Sequence, residues 1–239
     1  MEPMYYELQL DHIVATTVRL QHRIAERFPE SGLSKIAGEL ARIAEETGPI
    51  LTQMRRPHRV VQVAVVLLAL FLIAIPLGLI LSSGLPALEI DGLGGLLQVV
   101  ESAIQDIIFI SVALYFLLTL EQRLDRRVSI RELQRLRNIV HIIDMHQLTK
   151  DPEHLISPGM VTPSSPKRRL TQFEMARYLD YCTELLSLSS KVAAVHVQSV
   201  NDPVVLNAVN DIENLAASLS NKIWQKIVII NETRRTSDV

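Results

Sequence analysis

Residues 60–81 read VVQVAVVLLALFLIAIPLGLIL, a stretch without a single charged side chain. A helix rises about 1.5 Å per residue and the hydrocarbon core of a bilayer is roughly 30 Å thick, so Val60 to Leu81 is long enough to cross one. It predicts a transmembrane helix. Its polar side chain, Gln62, lies at the end approached by Arg55, Arg56, His58 and Arg59, and charged groups belong at the interface. Pro76 falls near the far end, where neighbouring helices or water can satisfy the carbonyl it frees. The run starts too far into the chain to be a cleaved signal peptide.

Working outward, the following segment, Ser82 to Gly95, has Glu89 and Asp91 as its charges and no Lys or Arg. It predicts an external loop. Leu96 to Leu120 is then mostly apolar, interrupted by Glu101, Gln105 and Asp106, and is followed by Arg123, Arg126, Arg127, Arg131 and Arg135. Positive charge before the first span and after the second, with none between, predicts a two-helix membrane hairpin with both termini in the cytoplasm. No glycine or proline occurs between Leu96 and Asp151, so the second span is expected to continue as one long helix carrying a stripe at Leu133, Leu136, Val140 and Ile143.

Composition favours an all-α protein, because the 48% of hydrophobic residues is ordinary but unevenly spread and glycine and aromatics are scarce. At its N-terminal end, Tyr6, Leu10, Ile13, Thr17, Leu20, Ile24 and Phe28 recur at steps of four and three, the stripe of a helix packing on a partner. A second stripe follows at Leu33, Ile36, Leu40, Ile43, Thr47, Ile50 and Met54, with Gly48 and Pro49 expected to kink or end that helix. The short link Pro29-Glu30-Ser31-Gly32 predicts an antiparallel hairpin.

Asp151 to Leu170 is rich in proline and serine and predicts an extended linker. Thr171 and Glu174 have the spacing of a capping box, which opens the next helix. That helix carries two apolar faces, Leu179, Cys182, Leu186, Ser189, Ala193 and Val200 on one and Tyr178, Tyr181, Leu185, Leu188, Val192 and Val195 on the other. Two such faces predict burial on two sides. Asp202 and Pro203 open the last helix as N-cap and first helical residue, followed by Val205, Val209, Ile212, Ala216, Leu219, Ile223 and Ile230.

The expected organisation is therefore a cytoplasmic helical hairpin over 1–58, two spans with a short external loop over 59–120, an extension of the second span over 121–150, a linker over 151–170 and a C-terminal helical hairpin over 171–239. Four amphipathic helices, two from each end of the chain, can bury their stripes together as one bundle, or each pair against a second subunit. Trp224 and the run Ile227 to Ile230 exceed what one face needs, which favours a homo-oligomer.

Candidate chemistry is sparse. Glu101 and Gln105 share a helix face with Asp106 about 100° round from Gln105, and polar groups at membrane depth either line an ion route or mark a span that starts deeper, at the interface. Arg55, Arg56 and Arg59 set topology and are placed to touch lipid head groups; Lys167, Arg168 and Arg169, not needed for insertion, are candidate lipid or partner contacts or a solvated charge run. His141 and Asp144 are one turn apart, but His146 points elsewhere and no HExxH spacing occurs, so no metal site is expected. Cys182 on an apolar stripe behaves as a small apolar residue, and no phosphate-binding glycine loop is present. No catalytic residue and no cofactor is expected, and a net charge of -2 does not suggest nucleic acid. The expectation is a membrane-anchored helical interaction protein, a scaffold, adaptor or signalling subunit, with a channel or transport subunit as the alternative.

Overall fold

The computed structural model describes residues 7–54, 63–71, 74, 78, 92–152 and 170–237. Among them the chain is all-helical, with no strand. The helices bounded among these residues are α1 (Leu10–Arg27), α2 (Gly32–Met54), α3 (Gly92–Leu148), α4 (Gln172–Ser199) and α5 (Pro203–Ser237), with a further helical stretch over residues 63–71. The chain divides into two compact units, one of Met1–Arg55 with Arg126–Val239 and one of Arg56–Asp125.

In the first unit the predicted stripes become the core. On α1, Ile13, Thr17, Leu20 and Ile24 are buried, and Thr17 meets its hydrogen-bonding need locally by donating to the Ile13 carbonyl at 2.8 Å. In the link, Glu30 adopts a left-handed φ of 56°, and the Ser31 hydroxyl accepts from the Ser34 amide at 3.1 Å, capping α2. Gly32 follows because the ring of His146 lies where a Cβ would sit, 2.1 Å from it. On α2, Leu33, Ile36, Leu40, Ile43 and Thr47 are buried as the spacing predicts.

The break expected at Gly48-Pro49 does not end the helix, which runs on to Met54. Pro49 is exposed, and the carbonyl left without its donor belongs to Glu45, itself an exposed residue that water reaches. Beyond the proline Leu51 is the buried residue, and Ile50 only half-buried.

Helix α4 is the centre of the bundle. Both its predicted faces are buried, and it packs against α1, α2 and α5. Leu179, Cys182, Leu185, Leu186, Val192 and Ala193 have no exposed surface at all. Complete burial of a leucine-sized side chain contributes roughly 1.5–3 kcal/mol, so this helix is a large contributor to the apolar stabilisation. The bundle is not built from four helices alone. Leu133, Leu136, Ile139, Val140 and Ile143 of α3 lie in the same core cluster as the other four, making five contributing helices within one chain. Of the run expected to exceed one face, Ile227 and Ile230 are buried there, Val228 and Ile229 are half-buried and Trp224 stays 63% exposed.

Both predicted N-termini are capped. Thr171 Oγ1 accepts from the Glu174 amide at 3.2 Å, and the Glu174 carboxylate accepts from the Thr171 amide at 2.8 Å. Asp202 Oδ1 accepts from the amides of Val204 at 2.8 Å and Val205 at 3.4 Å, while its Oδ2 accepts from Arg126 Nε at 2.7 Å. Burial alone would raise the pKa of this carboxyl, but the bonds from Arg126 and the two amides outweigh it and hold the group below its usual range. Asp202→Ala removes a cap and an ion pair together, and is expected to lower the stability of the bundle by about 2 kcal/mol in chemical denaturation, with Asp202→Asn recovering about half through the retained cap.

In the second unit, residues 63–71 are helical and Val63, Val66, Leu67, Leu70 and Phe71 are each more than half exposed. The remainder of the predicted first span lies largely outside the described residues. Helix α3 opens at Gly92, inside the stretch expected to be loop, because each residue added to a nucleated helix gains a hydrogen bond that offsets glycine's penalty of about 1 kcal/mol. It continues without interruption to Leu148, as the absence of glycine and proline predicts. Among the described residues one helix is long and apolar enough to cross a membrane, Val100–Leu148, and no part of its most apolar window is buried.

Candidate functional site

Glu101, Gln105 and Asp106 are all exposed on α3, Glu101 and Gln105 one turn apart. Around them Ile104, Ile107, Ile108 and Phe109 are exposed as well, so the three form a polar notch in an apolar surface. Arg55, Arg56, Arg59, Lys167, Arg168 and Arg169 lie outside the described residues. His141 is exposed and the Asp144 carboxylate accepts from Gln147 Nε2 at 2.7 Å. Among the described residues no three His, Cys, Asp or Glu side chains gather where they could hold a metal ion. Cys182 is fully buried, and burial pushes its thiol up to about 12, which leaves no thiolate at neutral pH.

Two charged clusters tie the helices of the bundle together. Arg42 pairs with Glu39 and Glu46 along α2, and Glu46 also accepts from Arg135 of α3 at 2.9 Å, which holds the Glu46 carboxyl below its usual range. Arg135 reaches Glu132 at 2.6 Å in turn. The other cluster joins the C-terminal end of α3 to α5, where Lys226 Nζ donates to the Gln147 carbonyl at 3.2 Å and to its Oε1 at 2.8 Å.

Residues that sequence spacing does not bring together meet between α1 and α4. Phe28 stands edge-on to Tyr178 and Tyr181, with ring centroids 5.4 and 6.2 Å apart. Arg23 lies over the Tyr181 ring at 5.3 Å and Arg27 over the Phe173 ring at 5.8 Å. Beside these rings Arg23, Glu26, Arg27, Arg177 and Tyr181 line a cavity of about 380 Å³. A neighbouring groove of about 630 Å³ runs between α4 and α5 past Phe173, Arg177, Asp180 and Trp224. In the sequence the one hint was charge at Arg23 and Arg27, one turn apart on the polar face of α1. Their partner on α4 is far along the chain.

His196 is the other residue that periodicity missed. It is fully buried on α4, and neither ring nitrogen has a hydrogen-bond partner. Burial lowers its pKa to about 4, so the imidazole is neutral in the folded bundle.

No family model, curated protein or solved structure matches this chain.

Proposed function

We propose that the protein is a membrane-anchored helical interaction protein, a scaffold or adaptor held in the bilayer by a two-helix hairpin and acting through its bundle. The observation that carries it is the contrast between the two units. The first buries most of its apolar side chains among its own helices, whereas the second leaves Val66, Leu67, Phe71, Ile107, Phe109 and Leu118 exposed along helical segments. A core helix of a water-soluble domain does not leave its whole apolar window uncovered, and lipid is the cover that matches such a surface on all sides. The absence of Lys and Arg from Ser82 to Gly95, against the arginines on either side, supports both termini lying in the cytoplasm.

The bundle supports the interaction part of this reading through the exposed rings of Phe173 and Trp224 beside one groove, the residue type that dominates binding hot spots. Self-association through the same face belongs to the proposal, as does a separate cytoplasmic protein partner.

The test is cysteine accessibility in sealed vesicles, for which the buried Cys182 is silent. Lys35→Cys and Asp211→Cys are expected to label from one side, Ser83→Cys from the other, and the protein to stay with the membrane through an alkaline wash. Labelling of Ser83→Cys from the same side as the other two would overturn the hairpin, and release by alkali would overturn the anchor.

The polar notch on α3 keeps a second reading in view, a channel or transport subunit with Glu101, Gln105 and Asp106 turned into an assembled interior. Glu101→Leu, Gln105→Leu and Asp106→Leu combined are expected to leave membrane integration and partner capture unchanged. Loss of ion flux through reconstituted vesicles in that variant would instead establish the transport reading.

A further inference from the structure

We propose that the cavity between α1 and α4 binds a phosphate monoester through Arg23, Arg27 and Arg177. This goes beyond the anchoring and docking reading and does not depend on it.

Three guanidinium groups from two helices line one space of about 380 Å³. Each is held in place by a separate device. Arg23 lies over Tyr181 and is bound by Glu184 at 2.9 Å; Arg177 is bound by Asp180 at 3.1 Å; Arg27 lies over Phe173. A guanidinium carries five N–H donors, so the pairs with Glu184 and Asp180 leave Arg23 and Arg177 with donors to spare. Both pairs are exposed enough to contribute little stability and to yield to a stronger acceptor, with side-chain exposures of 45% and 38% in one and 39% and 35% in the other. Arg27 has no ion pair among the described residues and stands a helical turn from Arg23, its charge otherwise felt by Glu174.

The number and kind of donors select the ligand class. A carboxylate offers two oxygens and is satisfied by one or two guanidinium forks, whereas a phosphate monoester presents three equivalent oxygens and about two negative charges. Three arginines match the second. The cavity is larger than a phosphoryl group, so it has room for part of the esterified group, while the Tyr181 ring on its lining is itself buried beneath Arg23. Glu26, also on the lining, repels an anion, as do Glu184, Asp180 and Glu174 beside the three arginines, so an anion binds only by displacing the carboxylates of Glu184 and Asp180.

The test is calorimetric titration of the full-length protein in detergent or nanodiscs, with phenyl phosphate as the probe and benzoate at equal ionic strength as its carboxylate counterpart. Phenyl phosphate is expected to bind and benzoate to bind at least tenfold more weakly. Arg27→Gln and Arg177→Gln are each expected to weaken phenyl phosphate about tenfold. Arg27→Lys, which keeps charge but loses the fork, should weaken it less, and Arg42→Gln on α2 not at all. Glu26→Gln should tighten binding about threefold, a gain that a purely structural role for these residues would not produce. A phosphoserine peptide as a second probe separates the sources. Tighter binding than phenyl phosphate identifies a protein-borne phosphoryl group, and equal or weaker binding a free ester. Equal affinity for benzoate, or unchanged binding in both Arg27→Gln and Arg177→Gln with the melting midpoint preserved, would overturn the proposal.

Discussion

Leu40→Asp is expected to abolish the cooperative unfolding transition of the bundle. Leu40 has no exposed surface and lies mid-way along α2 in the core cluster it shares with α1, α3, α4 and α5. Removing the leucine side chain leaves a cavity at a cost of about 2–5 kcal/mol, and an unpaired carboxyl in its place adds a few kcal/mol more even when it takes up a proton. The sum rivals the 5–15 kcal/mol that separates a typical domain from its unfolded state. Circular dichroism at 222 nm through a denaturant series should show a sloping, low-amplitude loss of helix in place of a sigmoid. Leu40→Met, which preserves volume, should shift the midpoint by less than about 1.5 kcal/mol. A purified Leu40→Asp protein with unchanged helicity and unchanged oligomeric state would refute an intramolecular bundle.

Acid sensitivity traced to His196 is the second large effect. In the unfolded chain the imidazole has its ordinary value of 6.5, whereas in the bundle burial lowers it to about 4. Above the higher value both states are neutral and the bundle has its full stability. As pH falls between the two, the unfolded chain binds a proton that the folded chain refuses, so stability declines by up to about 1.4 kcal/mol per pH unit, roughly 3 kcal/mol in all. Below about 4 this loss is complete. His196→Leu should flatten that limb and raise stability at neutral pH by removing two unbonded ring nitrogens from the core. His146, whose pKa burial also lowers, tilts the profile in the same sense, so the wild type minus His196→Leu difference is the quantity to measure. The carboxyls of Glu46, Glu174 and Asp202, held below their ordinary values, lose their contribution only at lower pH, which makes pH 5 to 6.5 the clean interval. Parallel denaturation profiles for the two proteins across that interval would refute the assignment.

The all-helical class and the burial of α1, α2 and α5 were legible because a helix that covers one face must repeat its apolar residues every three or four positions. Leu20, Ile24, Leu40, Ile212 and Ile223 lie where that period puts them, and all are buried. The capping box at Thr171 and the cap at Asp202 were legible because local hydrogen bonding is written in adjacent residues. What escaped is either local compensation or long-range company. Pro49 signals a break, yet an exposed carbonyl costs little, so the helix carries on. Ile227 and Ile230 looked like spare area because the count of neighbours around α5 is set by the whole bundle and not by α5. His196 has polar chemistry but an apolar setting, and no pattern along one helix reports that a side chain has lost contact with water. The arginine cavity is harder still, since Arg23 and Arg27 meet Arg177 only through the packing of α1 on α4.

That same joining of distant stretches places the bundle under a clock. Domains begin to fold from the N-terminus as the chain is made, at roughly 5–20 residues per second. Helices α1 and α2 are finished once Met54 has emerged, but their central partner is not complete until Ser199. Roughly 7 to 30 seconds separate the two events. For that interval Leu20, Ile24, Leu33 and Leu40 have no α4 to cover them. Until then the newborn hairpin is an adhesive surface, and a chain that stalls before α4 leaves it so.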